Sequence, residues 1–151
     1  MKRNHLFITL TALFLFTSLA SFHSGLNSGI VQDVLSQTNQ FRKSKGKPGL
    51  IMREELNAIA QKHSEDMAGG KIAFGHGGFE NRNAQASKKL RPIRSFAENV
   101  AYGAPSGKAV VGMWKNSSGH RRNMLGNYKY IGIGIAKDRK GRLFYTQVFA
   151  G

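Results

Sequence analysis

The sequence contains no cysteine. No disulfide can form and no lipid can be attached through a thiol, so the fold must hold on packing alone. Acids are scarce as well: eight Asp and Glu stand against 23 Lys and Arg, for a formal charge of +15. Such a balance points to anionic partners, although a solvated, soluble surface is the simpler use of the charge. The cations are spread over residues 42–47, 88–94, 121–122 and 137–142 rather than gathered in one block. Zinc-finger spacing, an RRM signature and a basic strand interleaved with aromatics are all missing, which disfavours nucleic acid. There is no G-x-S-x-G, so the string His76-Gly77-Gly78 does not belong to an esterase of that type. Internal repeats are absent too.

No stretch reaches the roughly 20 apolar residues of a membrane-spanning helix. The longest run, Leu6–Leu19, follows Lys2, Arg3 and His5 and leads into Ser18-Leu19-Ala20. A positive start, a short apolar core and small residues around a cleavage point describe a secretory signal peptide over residues 1–20. An uncleaved N-terminal anchor is the alternative. The small, polar residues 21–29 suggest a flexible lead-in, and residues 30–151 are long enough for one domain with a real core. For an exported chain, an anionic cell-surface component, a lipid or a glycan fits the charge better than nucleic acid does.

Helical spacing comes first along the chain. Ile30, Val31, Val34, Leu35, Thr38 and Phe41 share one face, with Ser28 placed to cap it and Gly46 and Pro48 to end it. A second helix begins near Arg53, carries Glu54 and Glu55 in its first turn and stops at Gly69-Gly70. His63 lies in its apolar stripe and reads first as a buried, hydrogen-bonded histidine, with catalysis as the alternative. Its neighbours Ser64 and Glu65 point about 100° away in turn, so the three are no triad. Glu80–Leu90 suggests a short irregular helix. Ser106 is placed to cap a helix through Val110, Met113 and Trp114, and His120–Leu125 to form a further helical turn.

The period then changes. Ile131, Ile133 and Ile135 alternate with Gly132, Gly134 and Ala136, and Asp138–Arg142 separates this run from Leu143–Ala150. The pattern predicts an antiparallel hairpin. The two glycines leave room on one face for a close neighbour such as a packed helix. Helices first and a hairpin last give an α+β layered domain.

Glu98, an acid inside a short apolar run, and His120, in a polar turn, lie at opposite ends of the stretch Ala97–Leu125. Seven segments in order bear a family resemblance: VLSQTNQFRKSKG, LNAIAQKHSEDMA, FGH, AENVAYG, WKNSSGHRRNML, YIGIGIA and YTQVFAG. Together they resemble the CAP superfamily (the SCP or pathogenesis-related 1-like domains), and its bacterial secreted branch in particular. The resemblance implies a three-layer α-β-α sandwich with a small antiparallel sheet, and a cleft holding histidines and acids. His76 matches the first family histidine. Glu98 matches the acid of the G-E-N motif, although Ala97 replaces its glycine. The second family histidine is replaced by Phe144, and where the family has its second acid this chain reads Lys115-Asn116-Ser117, so the full set is not present. His120 matches a histidine of the bacterial members.

Three functional readings follow. A non-enzymatic module would bind a lipid, glycan or envelope component through the His/Glu cleft and would need no cofactor. A metal-dependent hydrolase of peptidase type would hold Zn²⁺ or another divalent ion on His76, His120 and Glu98, with Glu98 as general base. A nucleic-acid binder has only the charge in its favour. Asn99, Asn116 and Ser117 are candidate cleft residues around that set. A lone carboxylate beside two imidazoles is expected to bias them towards the charged form.

Overall fold

A four-stranded sheet forms the middle layer of the computed structural model, which describes the backbone from Leu15 to Gly151 and side chains from Ser28 onwards. In chain order the elements are α1 (Leu15–Ser44), β1 (Ile51–Met52), α2 (Glu54–Ala68), α3 (Phe79–Lys89), β2 (Phe96–Tyr102), α4 (Gly107–Asn116), α5 (Ser118–Leu125), β3 (Tyr130–Lys137) and β4 (Leu143–Ala150). Most of the expected signal segment, residues 1–14, lies outside the described residues. The backbone is helical through residues 21–29, where composition suggests a lead-in. That segment has no proline, and glycines weaken a helix without breaking it. Among the described residues, no helix is long and apolar enough to cross a membrane.

The strand order is β1-β3-β4-β2. The hairpin β3–β4 is antiparallel, with Gly134 opposite Thr146, and β2 pairs antiparallel with β4, placing Glu98 opposite Val148 and Asn99 opposite Gln147. The sheet is mixed rather than wholly antiparallel, because the short β1 runs parallel to β3. At two residues, β1 is too short to show a strand period in sequence.

Strand alternation sorts the core into two layers. Ile131, Ile133, Ile135, Tyr145 and Phe149 face α1, α4 and α5, where Val34, Val110, Trp114 and Met124 close over them. The other face packs Val148 and Ala150 against Leu56, Ile59 and Ala60 of α2, with Ala86 of α3 beyond. This is the expected three-layer sandwich. The glycines set its tightness. A Cβ at Gly132 would fall 2.3 Å from the Leu56 carbonyl carbon, and one at Gly134 would fall 2.2 Å from that of Ala60. The α2 backbone therefore rests directly on β3, and only glycine fits beneath it.

Side chains take backbone groups along both edges of the sheet. Beyond β1, the Ile133 and Ile135 amides donate to Asn57 Oδ1 and Gln61 Oε1 of α2, each at 2.9 Å, and Gln61 Nε2 donates back to the Ile135 carbonyl at 3.0 Å. On β2, the carbonyl of Val100 accepts from Trp114 Nε1 at 3.1 Å, and that of Glu98 from Asn123 Nδ2 at 3.0 Å. The local signals of the sequence hold in the helices. Ser106 Oγ accepts from the Ala109 amide at 3.1 Å and caps α4. Gly70, at φ +69°, ends α2.

Candidate functional site

Glu98 and Asn99 are consecutive residues of a strand, so their side chains leave opposite faces of the sheet. Glu98 points towards α2 and α3 and its side chain is fully buried. Arg82 of α3 grips it with two bonds, Nε to Oε2 at 2.6 Å and Nη2 to Oε1 at 2.8 Å. His76 Nδ1 lies 2.9 Å from Oε1. A carboxylate can only accept here, so Nδ1 carries the proton and Nε2 is left towards solvent on a half-exposed ring.

Arg82 reaches further. Its Nη1 donates to the Gly77 carbonyl at 2.8 Å and its Nη2 to the His76 carbonyl at 3.3 Å. His63 of α2 completes the cluster, with Nε2 3.0 Å from the Gly75 carbonyl and 3.7 Å from Glu98 Oε1. The glycine-rich loop 71–78 is thus strapped to the sheet by two histidines and an arginine. Burial holds the His63 imidazole below its ordinary value; the Glu98 charge opposes that shift, while Arg82 and His76 add to it. His63 is therefore a buried, hydrogen-bonded histidine within the cluster.

Asn99 serves the other face. Fully buried, it donates through Nδ2 to the His120 carbonyl and to Gln147 Oε1, each at 3.2 Å, and accepts from Asn123 Nδ2 at 2.9 Å. Gln147 passes the chain on to Thr38 Oγ1 of α1 at 2.9 Å. Asn99 fixes α5, and with it His120, to the sheet. Because β2 is an outer strand, the two faces meet around its edge. The His120 ring is held below its ordinary value by burial first and by the charge of His76 second. The expected bias towards the charged form is thus reversed at His120, which burial and the neighbouring His76 both shift downward with no carboxylate opposing them; at His63 desolvation outweighs the Glu98 charge.

His120 and Ser117 line a groove of about 500 Å³ with Phe74, Tyr102, Met113 and Trp114. Its floor is apolar, since the Trp114 indole N–H is already spent on Val100. Asn116 lies outside it, in an open hollow beside Ser118, Arg121 and Arg122. A further hollow of about 480 Å³ separates α2 from α3 and touches His63 and Arg82. Glu98 itself is sealed between these spaces.

The residues do not suit the metal that His76, Glu98 and His120 suggest in sequence. Among the described residues, no group of three or more His, Cys, Asp or Glu side chains is arranged to hold an ion. The physical reason is Arg82: it occupies both carboxylate oxygens and sets a positive charge where a cation would sit. Sequence reasoning passed over Arg82 as a site residue. The available signal was Glu98 itself, because an acid buried in an apolar strand requires a cationic partner.

A mixed sheet between two helical layers, with His76 and Glu98 meeting at its outer strand, defines a three-layer α+β domain of the SCP kind. The chain belongs to the cysteine-rich secretory protein (CAP) family, whose model matches residues 35–149. It is 29% identical over 132 residues to the uncharacterized protein YkwD of Bacillus subtilis, covering 82% of this chain and 48% of that protein. It is 31% identical over 122 residues to the uncharacterized membrane protein YlbC of the same organism, covering 78% and 33%. Among solved structures it resembles an extracellular SCP-domain protein of Bacillus anthracis, with a TM-score of 0.70, 27% identity, and coverage of 82% of this chain and 41% of that one. The chain therefore spans less than half the length of each of these relatives.

Proposed function

We propose that this chain is an extracellular, non-enzymatic binding module that holds a component of the cell envelope in the groove beside His120. One observation carries the reading: the acid of the cleft is locked by Arg82 and His76, while the apolar groove next to it is open. A general base needs a free lone pair aimed at a water, and Glu98 sits fully buried with both oxygens receiving hydrogen bonds. This weighs against the hydrolase. The extracellular placement is supported by the Bacillus anthracis structure, whose protein is extracellular, and by the signal-like start of the sequence.

The test is capture by isolated envelope material, read alongside fluorescence of the apolar probe anilinonaphthalene sulfonate. Met113→Glu places a charge in the groove at a half-exposed position and should abolish both signals. His76→Ala should leave both in place. Capture that survives Met113→Glu, or envelope material hydrolysed by the wild type and spared by Glu98→Gln, would overturn the reading.

A further inference from the structure

The two ends of the sheet differ in what they leave uncovered. At the end where β3 begins, Tyr130 and Phe96 are partly buried, and Arg53 and Lys129 lie over the Tyr130 ring. At the opposite end, Tyr102 of β2, Phe144 of β4 and Phe74 of the strapped loop form one aromatic cluster. The Phe74 and Tyr102 ring centres are 4.8 Å apart in an edge-on contact, and Tyr102 stacks on Phe144 at 5.5 Å. Phe144 is buried, but Phe74 is 47% exposed and Tyr102 45%. Met113 is exposed beside them, so three of the five large hydrophobic side chains exposed among the described residues gather here. An apolar cluster left open to water in this way marks an interaction surface.

The strand register brings cations to the same end. Lys137 pairs with Leu143, so the turn 138–142 stands next to Tyr102 and Phe144. It carries Arg139, Lys140 and Arg142, and the loop adds Lys71; all are exposed. Arg142 lies over the Tyr102 and Phe144 rings at 5.8 and 5.9 Å. The acids at this end are engaged. Asp138 holds Arg142 and the turn amides, and Asp66 pairs with Lys62 and Lys71.

We infer that this end of the molecule docks on an anionic phospholipid bilayer, with Phe74 and Tyr102 entering the interface and the basic turn resting on the headgroups. The inference rests on the reading of the chain as an envelope-binding module, and it names the surface. Charge alone would serve any polyanion. Exposed aromatic area calls for an apolar counterpart, which a dissolved polyanion does not offer and an anionic bilayer does. Docking here would also set the mouth of the groove, which Phe74 and Tyr102 line, against the membrane.

Sedimentation of the full chain with vesicles tests this, using phosphatidylglycerol mixed with phosphatidylcholine against phosphatidylcholine alone at about 0.1 M salt. The protein should bind the anionic vesicles and ignore the neutral ones. Phe74→Ser and Tyr102→Ser should each weaken binding about fivefold, and Arg139→Glu with Lys140→Glu at least tenfold, roughly as expected for one interfacial aromatic and for two reversed headgroup contacts. Lys88→Glu with Lys89→Glu, on α3, makes the same change in charge away from the patch and should cost far less. In Phe74→Trp, acyl-chain-brominated lipid should quench the new indole, which surface adsorption alone would not produce.

Absence of binding to anionic vesicles overturns the inference. So does binding indifferent to Phe74→Ser and Tyr102→Ser, or dextran sulfate bound as tightly as the vesicles. Envelope capture through the groove without vesicle binding removes the docking and leaves the module standing. Loss of both removes both.

Discussion

Glu98 and Asn99 are neighbours in sequence, and each anchors a buried polar cluster, but the clusters are built on different principles. The Glu98 cluster is ionic. It takes an arginine and one histidine, His63, out of water and uses them with the half-exposed His76 to strap a glycine-rich loop. The Asn99 network is neutral, a relay of amides and one hydroxyl that fixes α1 and α5 to the sheet. A buried ion pair carries a desolvation cost that its attraction only partly offsets, so removing one partner is far worse than never having had the pair. A neutral network loses the bonds that are cut and leaves uncharged partners unpaired, a smaller cost than a stranded charge. The difference predicts where the fold is brittle.

The largest effect should come from Arg82→Met, which leaves Glu98 buried and uncompensated. Urea unfolding should show a loss of about 3–5 kcal/mol. Adding Glu98→Leu should recover much of it, whereas a double variant as unstable as the single one would break the ionic account. Asn99→Ala should cost less, about 2 kcal/mol, because it cuts neutral bonds and strands Asn123 and Gln147. The His120 resonances should move in that variant while those of His76 stay in place; the reverse would mean the two faces are not separate.

The smallest effect is the pH dependence. His63 and His120 are held below the ordinary histidine value of 6.5, so the unfolded chain binds those protons more readily. Stability should fall as pH drops below 6.5 and level off once pH passes under the folded values. Thermal melts of His63→Gln and His120→Gln should each show a shallower slope, reporting one face apiece. A slope unchanged in both would place the sensitivity elsewhere.

How much of this was legible in sequence follows from distance along the chain. The hairpin, the Ser106 cap, the stop at Gly69-Gly70 and the close approach over Gly132 and Gly134 are local signals, and each appears where expected. His76 and Glu98 were legible by resemblance, and they do meet. Arg82 was not, because its tie to Glu98 depends on how α3 packs, which no short-range pattern encodes. In sequence Asn99 reads as a neighbour of Glu98 in one cleft, because the short apolar run around Glu98 shows no strand period. Once that run is a strand, alternation sends the two side chains apart. Residues 21–29, whose composition suggests a flexible lead-in, have a helical backbone, because small polar residues permit a loop but do not impose one.

The side chains that cover the two edges of the sheet have a consequence for self-association. A sheet edge with free amides and carbonyls is a template on which another chain can add itself, strand after strand. Here Asn57 and Gln61 cover one edge at Ile133 and Ile135, and Trp114 and Asn123 cap carbonyls on the other. A chain with no disulfide to limit its opening has blunted the rims along which fibrillar growth would start. Replacing Asn57 and Gln61 with alanine should therefore raise thioflavin-T-positive aggregation under mildly denaturing conditions by more than the accompanying loss of stability explains.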